Sequence, residues 1–165
     1  MKRVWPVLVL VALAMPAAAQ DAELLRPCRR ADLIGFWRVV RFGFAAGAAV
    51  DRGNPAYRTF QRYVFNANAT MAYAASEMAP TAEEDRALLL GATRTTWALD
   101  PSGHLMRQQD GTARVERSEC RVVTRGFRDP KSTVPVLAGD VLLTDQGEDE
   151  RPVTRRLLRK PRRDE

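Results

Sequence analysis

Few residues in this chain are of types that do chemistry, and their spacing narrows the choice further. The single histidine, His104, follows a Pro101-Ser102-Gly103 turn. A catalytic or metal-binding imidazole needs partners at ligand spacing, and neither a second histidine nor a Cys-x-x-Cys pair is there to supply them. His104 is therefore read as a surface or strand-end residue, and no metal and no cofactor are expected. Acid pairs occur at Glu83-Glu84 and Asp149-Glu150, but the first suits a helix N-terminus and the second a solvated turn. Serine nucleophile elbows, glycine-rich phosphate loops and Walker patterns are absent from the sequence. No catalytic residue can be named, and the expectation is a protein that is not an enzyme.

The chain opens with a different kind of signal. Lys2 and Arg3 precede an apolar run from Val4 to Ala14, and Pro16-Ala17-Ala18-Ala19 offers small residues for cleavage, the layout of a secretory signal peptide. The run is too short for a membrane anchor, and Cys28 sits behind Leu24-Leu25-Arg26-Pro27 rather than in a lipid-attachment box. The expected mature protein is soluble and periplasmic or secreted. Such a compartment favours a disulfide between the only two cysteines, Cys28 and Cys120. Closing that 92-residue separation would stabilise the fold by roughly 4 to 5 kcal/mol on the chain-entropy treatment.

Charge excludes another class. The formal net charge is +6, and two of the cations leave with the leader. The remaining basic residues alternate with acids, as in Arg114-Val115-Glu116-Arg117-Ser118-Glu119, which is a solvated strand face rather than a nucleic-acid patch. No nucleic acid is expected as a partner.

The elements that must position any site are strands. In Leu33-Ile34-Gly35-Phe36-Trp37-Arg38-Val39-Val40, residues 33, 35, 37 and 39 share one face. A glycine two residues before a tryptophan suits a sheet that curls over to close, with the indole plugging the closed end. Gly35-Phe36-Trp37 resembles the Gly-x-Trp motif that opens the first strand of lipocalins and of bacterial lipocalin-like (calycin-type) domains. Tyr63-Val64-Phe65-Asn66-Ala67-Asn68-Ala69-Thr70 and Trp97-Ala98-Leu99-Asp100-Pro101-Ser102-Gly103-His104-Leu105 are similar to later stretches of those domains. The resemblance implies a barrel, a long first connection capping its mouth, and an arginine near the end of the last strand packed across Trp37, for which Thr154 to Arg159 holds candidates.

The rest of the chain reads as strands in sequential hairpins. Tyr57–Phe65 and Met71–Ala75 flank an Asn66-Ala67-Asn68-Ala69 turn. Arg94–Leu99 and His104–Gln109 follow, then Thr112–Thr124 after Asp110-Gly111, then Val136–Thr144 and Pro152–Lys160 around an acidic turn from Asp145 to Glu150. A helix interrupts them near Thr81, where Thr81 and Glu84 have capping-box spacing and Gly91 is a stop; it is read as a cover over a barrel opening. The fold class is all-β: an eight-stranded antiparallel up-and-down barrel, lipocalin-like, with one short helix. Its boundaries are a signal peptide at 1–19, a lead-in at 20–32 that could hold a helical turn at Arg29 to Asp32, the barrel at 33–160 and a short charged tail at 161–165.

Without reactive groups, the barrel interior is the means of action. Its candidate lining is Trp37, Val39, Arg41, Tyr63, Phe65, Tyr73, Trp97 and Met106, with Phe60 and Val64 the alternatives to Tyr63 and Phe65. Such a lining suits a small hydrophobic or amphipathic ligand held by burial, with Arg41 meeting a carboxylate if it faces in. The expected protein is a monomeric carrier. The alternative is an exported protein-interaction module, such as a barrel-type protease inhibitor, with a protein partner.

Overall fold

Glycine at position 35 takes φ +125, a conformation that side chains resist, and starts the strand on which the sheet is built. In the computed structural model, residues 24–51 and 53–161 are described; the signal peptide expected at 1–19, residues 20–23, residue 52 and residues 162–165 lie outside them. The elements in order are β1 (Leu25–Pro27), α1 (Arg30–Leu33), β2 (Gly35–Phe44), a 3-10 turn (Pro55–Tyr57), β3 (Phe60–Phe65), β4 (Thr70–Ser76), α2 (Ala82–Leu90), β5 (Thr95–Leu99), β6 (His104–Gln109), β7 (Val115–Val123), β8 (Val141–Gln146) and β9 (Pro152–Arg159). Strands β2 to β9 pair antiparallel in sequence order, and β9 returns to β2. The result is the closed eight-stranded antiparallel barrel that the sequence predicts. β1 is an addition, pairing with Arg121 to Val123 of β7 beyond the end of β6.

Local chemistry explains most element ends. Thr81 accepts from the Glu84 amide while the Glu84 carboxylate takes the Thr81 N–H at 2.7 Å, and Gly91 closes α2. Asp32 caps α1 through the Arg29 amide and receives two bonds from Arg26 at 2.7 and 2.8 Å. The β3–β4 turn is tied by the Asn68 side chain to Thr70, and its left-handed residue is Ala69 rather than an asparagine.

Three strands start three or more residues later than expected. β3 begins at Phe60 instead of Tyr57, because Asn54 caps Ala56 and Pro55 opens the 3-10 turn. β7 begins at Val115, not Thr112. β8 starts at Val141 and runs through Asp145 to Gln146, because Asp140 fixes a preceding turn through the Leu137 amide; Val136 keeps only an isolated bridge to Phe127.

Helix α2 is not a cover over an opening. Asp85, its one buried residue, accepts from Arg38 at 2.9 Å and Arg62 at 2.8 Å, residues that alternate with inward-facing Trp37 and Tyr63 and so lie on the outer wall. Leu89 and Leu90 face solvent instead, with Leu90 80% exposed, and Leu88 is half-buried.

The two ends of the barrel interior differ. At the end covered by α1, Leu33, Trp37, Phe65, Met71, Trp97, Leu105, Val141, Leu143 and Leu158 form a contiguous apolar core around the Cys28–Cys120 disulfide. Trp37 is 2% exposed, and its indole N–H donates to the Leu33 carbonyl at 2.6 Å. The cation over Trp37 is Lys160, 4.9 Å from the ring, one residue beyond the expected arginines. Arg30 lies over Trp97 at 4.6 Å. The opposite end, the mouth, is polar.

Candidate binding site at the barrel mouth

A bulge in β2 decides which side chains reach the mouth. Val39 pairs with Leu158 and Arg41 with Leu157, so Val40 is an extra residue and the alternation inverts after it. Arg41 consequently lies outside, bound to Asp129 at 2.6 Å, and Phe42 and Phe44 turn inward in its place. The sequence reading of Trp37, Val39 and Arg41 on one face is thereby corrected, because period-two alternation holds only where no residue is inserted.

The other candidates divide similarly. Trp37, Val39, Tyr63, Phe65 and Trp97 meet in the apolar core, and Tyr73 packs against it with its ring 4.7 Å from that of Tyr63. Phe60 and Val64, the alternative pair, belong to the outer face. Met106 also points outward, 37% exposed. On β6 it is Leu105 and Arg107 that face in, since Leu105 is fully buried and Arg107 bonds to interior groups. His104 stays in its turn, its Nδ1 2.7 Å from the Ser102 hydroxyl and 3.2 Å from Asp100; no cluster of metal-ligating residues occurs among the described residues.

Sequence reasoning missed the groups that fill the mouth. Arg107 donates through Nη2 to the Ser118 hydroxyl and to Asp145, both at 2.9 Å. Arg156 donates through Nε to Gln61 at 2.6 Å and through Nη1 to Thr154 at 2.7 Å and to Asp145. Ser118 and Thr154 donate in turn to Asp145 at 2.5 and 2.6 Å. The Tyr73 hydroxyl donates to Gln61 at 3.1 Å and to the carbonyl of Ala56. Arg107, Ser118, Thr154, Arg156 and Gln61 are all buried. One signal could have found them: each shares a strand face with a core residue, as Asp145 does with Leu143, Arg156 with Leu158 and Arg107 with Leu105.

The charges set one another's protonation. Burial by itself raises the Asp145 carboxyl, but the fields of Arg107 and Arg156 and the bonds from Ser118 and Thr154 overcome it and hold its pKa at about 2. Burial drives the Tyr63 phenol upward despite the guanidiniums nearby, and it does the same to Tyr73. Around neutral pH the cluster therefore holds two guanidiniums, one carboxylate and two neutral phenols. Glu116, 58% exposed at the rim, lies 3.5 Å from Arg107.

Above the cluster sits a flap formed by the β2–β3 connection. Tyr57 stacks on Phe42 with ring centres 5.8 Å apart and meets Phe44 edge-on at 5.3 Å. The Arg156 guanidinium lies under this group, 5.1 Å from Phe42 and 5.8 Å from Tyr57. The Ala56 carbonyl bond to Tyr73 pins the flap down. The first connection thus both continues the strand, as far as Phe44, and then folds across the opening.

Side chains occupy the interior. Two recesses of the surface, about 340 Å³ each, lie on the outer wall around Leu137, Arg159 and Lys160. Comparison of the chain with protein-family models, with curated proteins and with solved structures finds no match in any of the three.

Proposed function

We propose that this is an exported lipocalin-like protein that binds a small amphipathic molecule inside its barrel. The observation that carries the reading is the polarity of the interior. An apolar half around Trp37, Trp97 and Leu143 meets a buried polar half around Arg107, Asp145 and Arg156, beneath a flap of aromatic rings. Burying that many charged groups adds little stability over well-packed apolar residues, so their placement at the one end closed by a flap suits a site better than a scaffold. The Cys28–Cys120 bridge fits an oxidising compartment, which supports the signal-peptide reading of the leader. Ser102, His104 and Asp100 meet at the start of β6, away from the barrel interior, so the reading proposed for the interior is binding rather than catalysis.

The test is energy transfer from the tryptophans to dansyl-labelled alkyl probes. Saturable transfer at one probe per protein, abolished by competition with the unlabelled compound, supports the reading. Absence of transfer across acidic, neutral and basic probes removes it.

A second reading, a protein-interaction module, has one observation in its favour. Helix α2 ends on two adjacent leucines in solvent, Leu89 and Leu90, and exposed apolar side chains side by side suit a contact surface.

A further inference from the structure

The fold gathers on one wall cations that the sequence scatters. Arg38 and Arg41 of β2 and Arg155 and Arg159 of β9 lie on the outside of two paired strands, and exposed Lys160 follows β9. The β7–β8 connection folds back across the same strands. Val136 packs with Leu157 and Val40, the Pro135 carbonyl accepts from Arg159 at 2.7 Å, and Asp129 holds Arg41. This connection adds Arg128 and Lys131, both exposed.

Three carboxylates answer these seven cations. Asp129 takes Arg41, Asp140 takes Arg159, and Asp85 is shared between Arg38 and buried Arg62. β2 and β9 contain no acid. Glu119, in register with Arg155 but two strands away, is held by Arg121. Arg128, Lys131, Arg155 and Lys160 therefore have no carboxylate partner among the described residues, and the excess on this wall is most of the chain's formal net charge of +6.

We propose that this wall docks on an anionic phospholipid surface, an interaction separate from ligand binding in the interior. Cations near such a surface each add attraction, and an exposed apolar side chain among them supplies a second attachment. Phe127, 40% exposed and next to Arg128, is that side chain. The recess lined by Arg38, Arg159 and Lys160 lies within the wall and has room for a phosphate head group. A broad wall without a row of stacking rings suits a layer of head groups better than a nucleic-acid strand, which is held in a groove by successive aromatic side chains.

Co-sedimentation of the mature protein with vesicles tests the proposal, using equal parts of phosphatidylglycerol and phosphatidylcholine beside phosphatidylcholine alone. The protein should sediment with the anionic vesicles only and be released by salt, which screens exposed charges. Arg128→Gln, Lys131→Gln and Arg155→Gln combined should lower partitioning on the order of a hundredfold, at about fivefold per cation. Arg94→Gln and Arg114→Gln combined, exposed cations before β5 and β7, should change it by less than about twofold. An unchanged melting temperature in both variants shows that contact, not folding, is being read. Absence of sedimentation with anionic vesicles, or equal losses in the two variants, overturns the inference. Displacement by inorganic phosphate at the head-group concentration also overturns it, as does tighter binding to a single-stranded oligonucleotide than to the vesicles.

Discussion

Replacing Asp145 by asparagine preserves shape while removing the half-buried carboxylate that Arg107 and Arg156 share. Two independent magnitudes bound the effect. The carboxyl is held at about 2 against an ordinary 3.8, a difference that links roughly 2 kcal/mol of stability to its ionisation. Removing one partner of a buried ion pair costs about 3 to 5 kcal/mol; here both guanidiniums lose a carboxylate, while Arg107 keeps Glu116 and Ser118 and Arg156 keeps Gln61 and Thr154. At about 3 °C per kcal/mol for a domain of this size, the variant should melt about 10 to 15 °C below the wild type at neutral pH. The sign with pH follows from the depressed pKa. Asp145 contributes its full stabilisation above the unfolded value of 3.8 and loses it as pH falls toward about 2. Thermal unfolding followed by far-ultraviolet circular dichroism across pH 7 to 2 should therefore show the two proteins converging below about pH 4. A variant melting within about 2 °C of the wild type at neutral pH, with a gap that does not change on acidification, would refute the reasoning.

Three further outcomes follow from the fold. Replacing both Cys28 and Cys120 by serine should destabilise the protein by several kcal/mol, up to the roughly 4 to 5 of the chain-entropy treatment, read as a shifted denaturant midpoint; an unchanged midpoint would mean that the bridge closes nothing the fold does not already close. Asp85→Ala removes the anchor of α2 on Arg38 and Arg62, so amides of 82–90 should exchange faster while those of β7 and β8 keep their protection. Uniform loss of protection would show the helix to be part of the global core. Arg41→Gln and Met106→Ala alter side chains outside the barrel and should leave ligand affinity within about twofold, a small change on the tenfold scale of 1.4 kcal/mol; a larger loss for either would place the site on the outer wall.

The strand pattern and turn chemistry were legible because they are local. Gly35 and Trp37, the Thr81–Glu84 box and the Asp110-Gly111 turn each state their role within a few residues, and the structure places strands and helix around them. The orientation of Arg41 was not, because a bulge is decided by how β2 fits β9, and nothing at Val40 announces an inserted residue. Met106 was assigned inward for its side-chain chemistry, although its neighbour Leu105 has the stronger claim to burial. Asp145 was hidden for a different reason. It heads the acidic run Asp145 to Glu150, which composition alone assigns to a solvated turn, whereas alternation from Val141 and Leu143 carries it inside. Arg107 was passed over, and Arg156 was considered only for packing across Trp37, by the same prejudice against buried charge, which fails where ions pair across a barrel.

The central claim is that the polar half of the barrel interior is where this protein meets an amphipathic ligand. Side-chain Nε–Hε resonances of arginine report it directly during titration with decanol. The account predicts saturable shifts at Arg107 and Arg156 with the Arg41 signal unmoved. Shifts confined to arginines of the outer wall, with Arg107 and Arg156 unchanged at saturation, would contradict it.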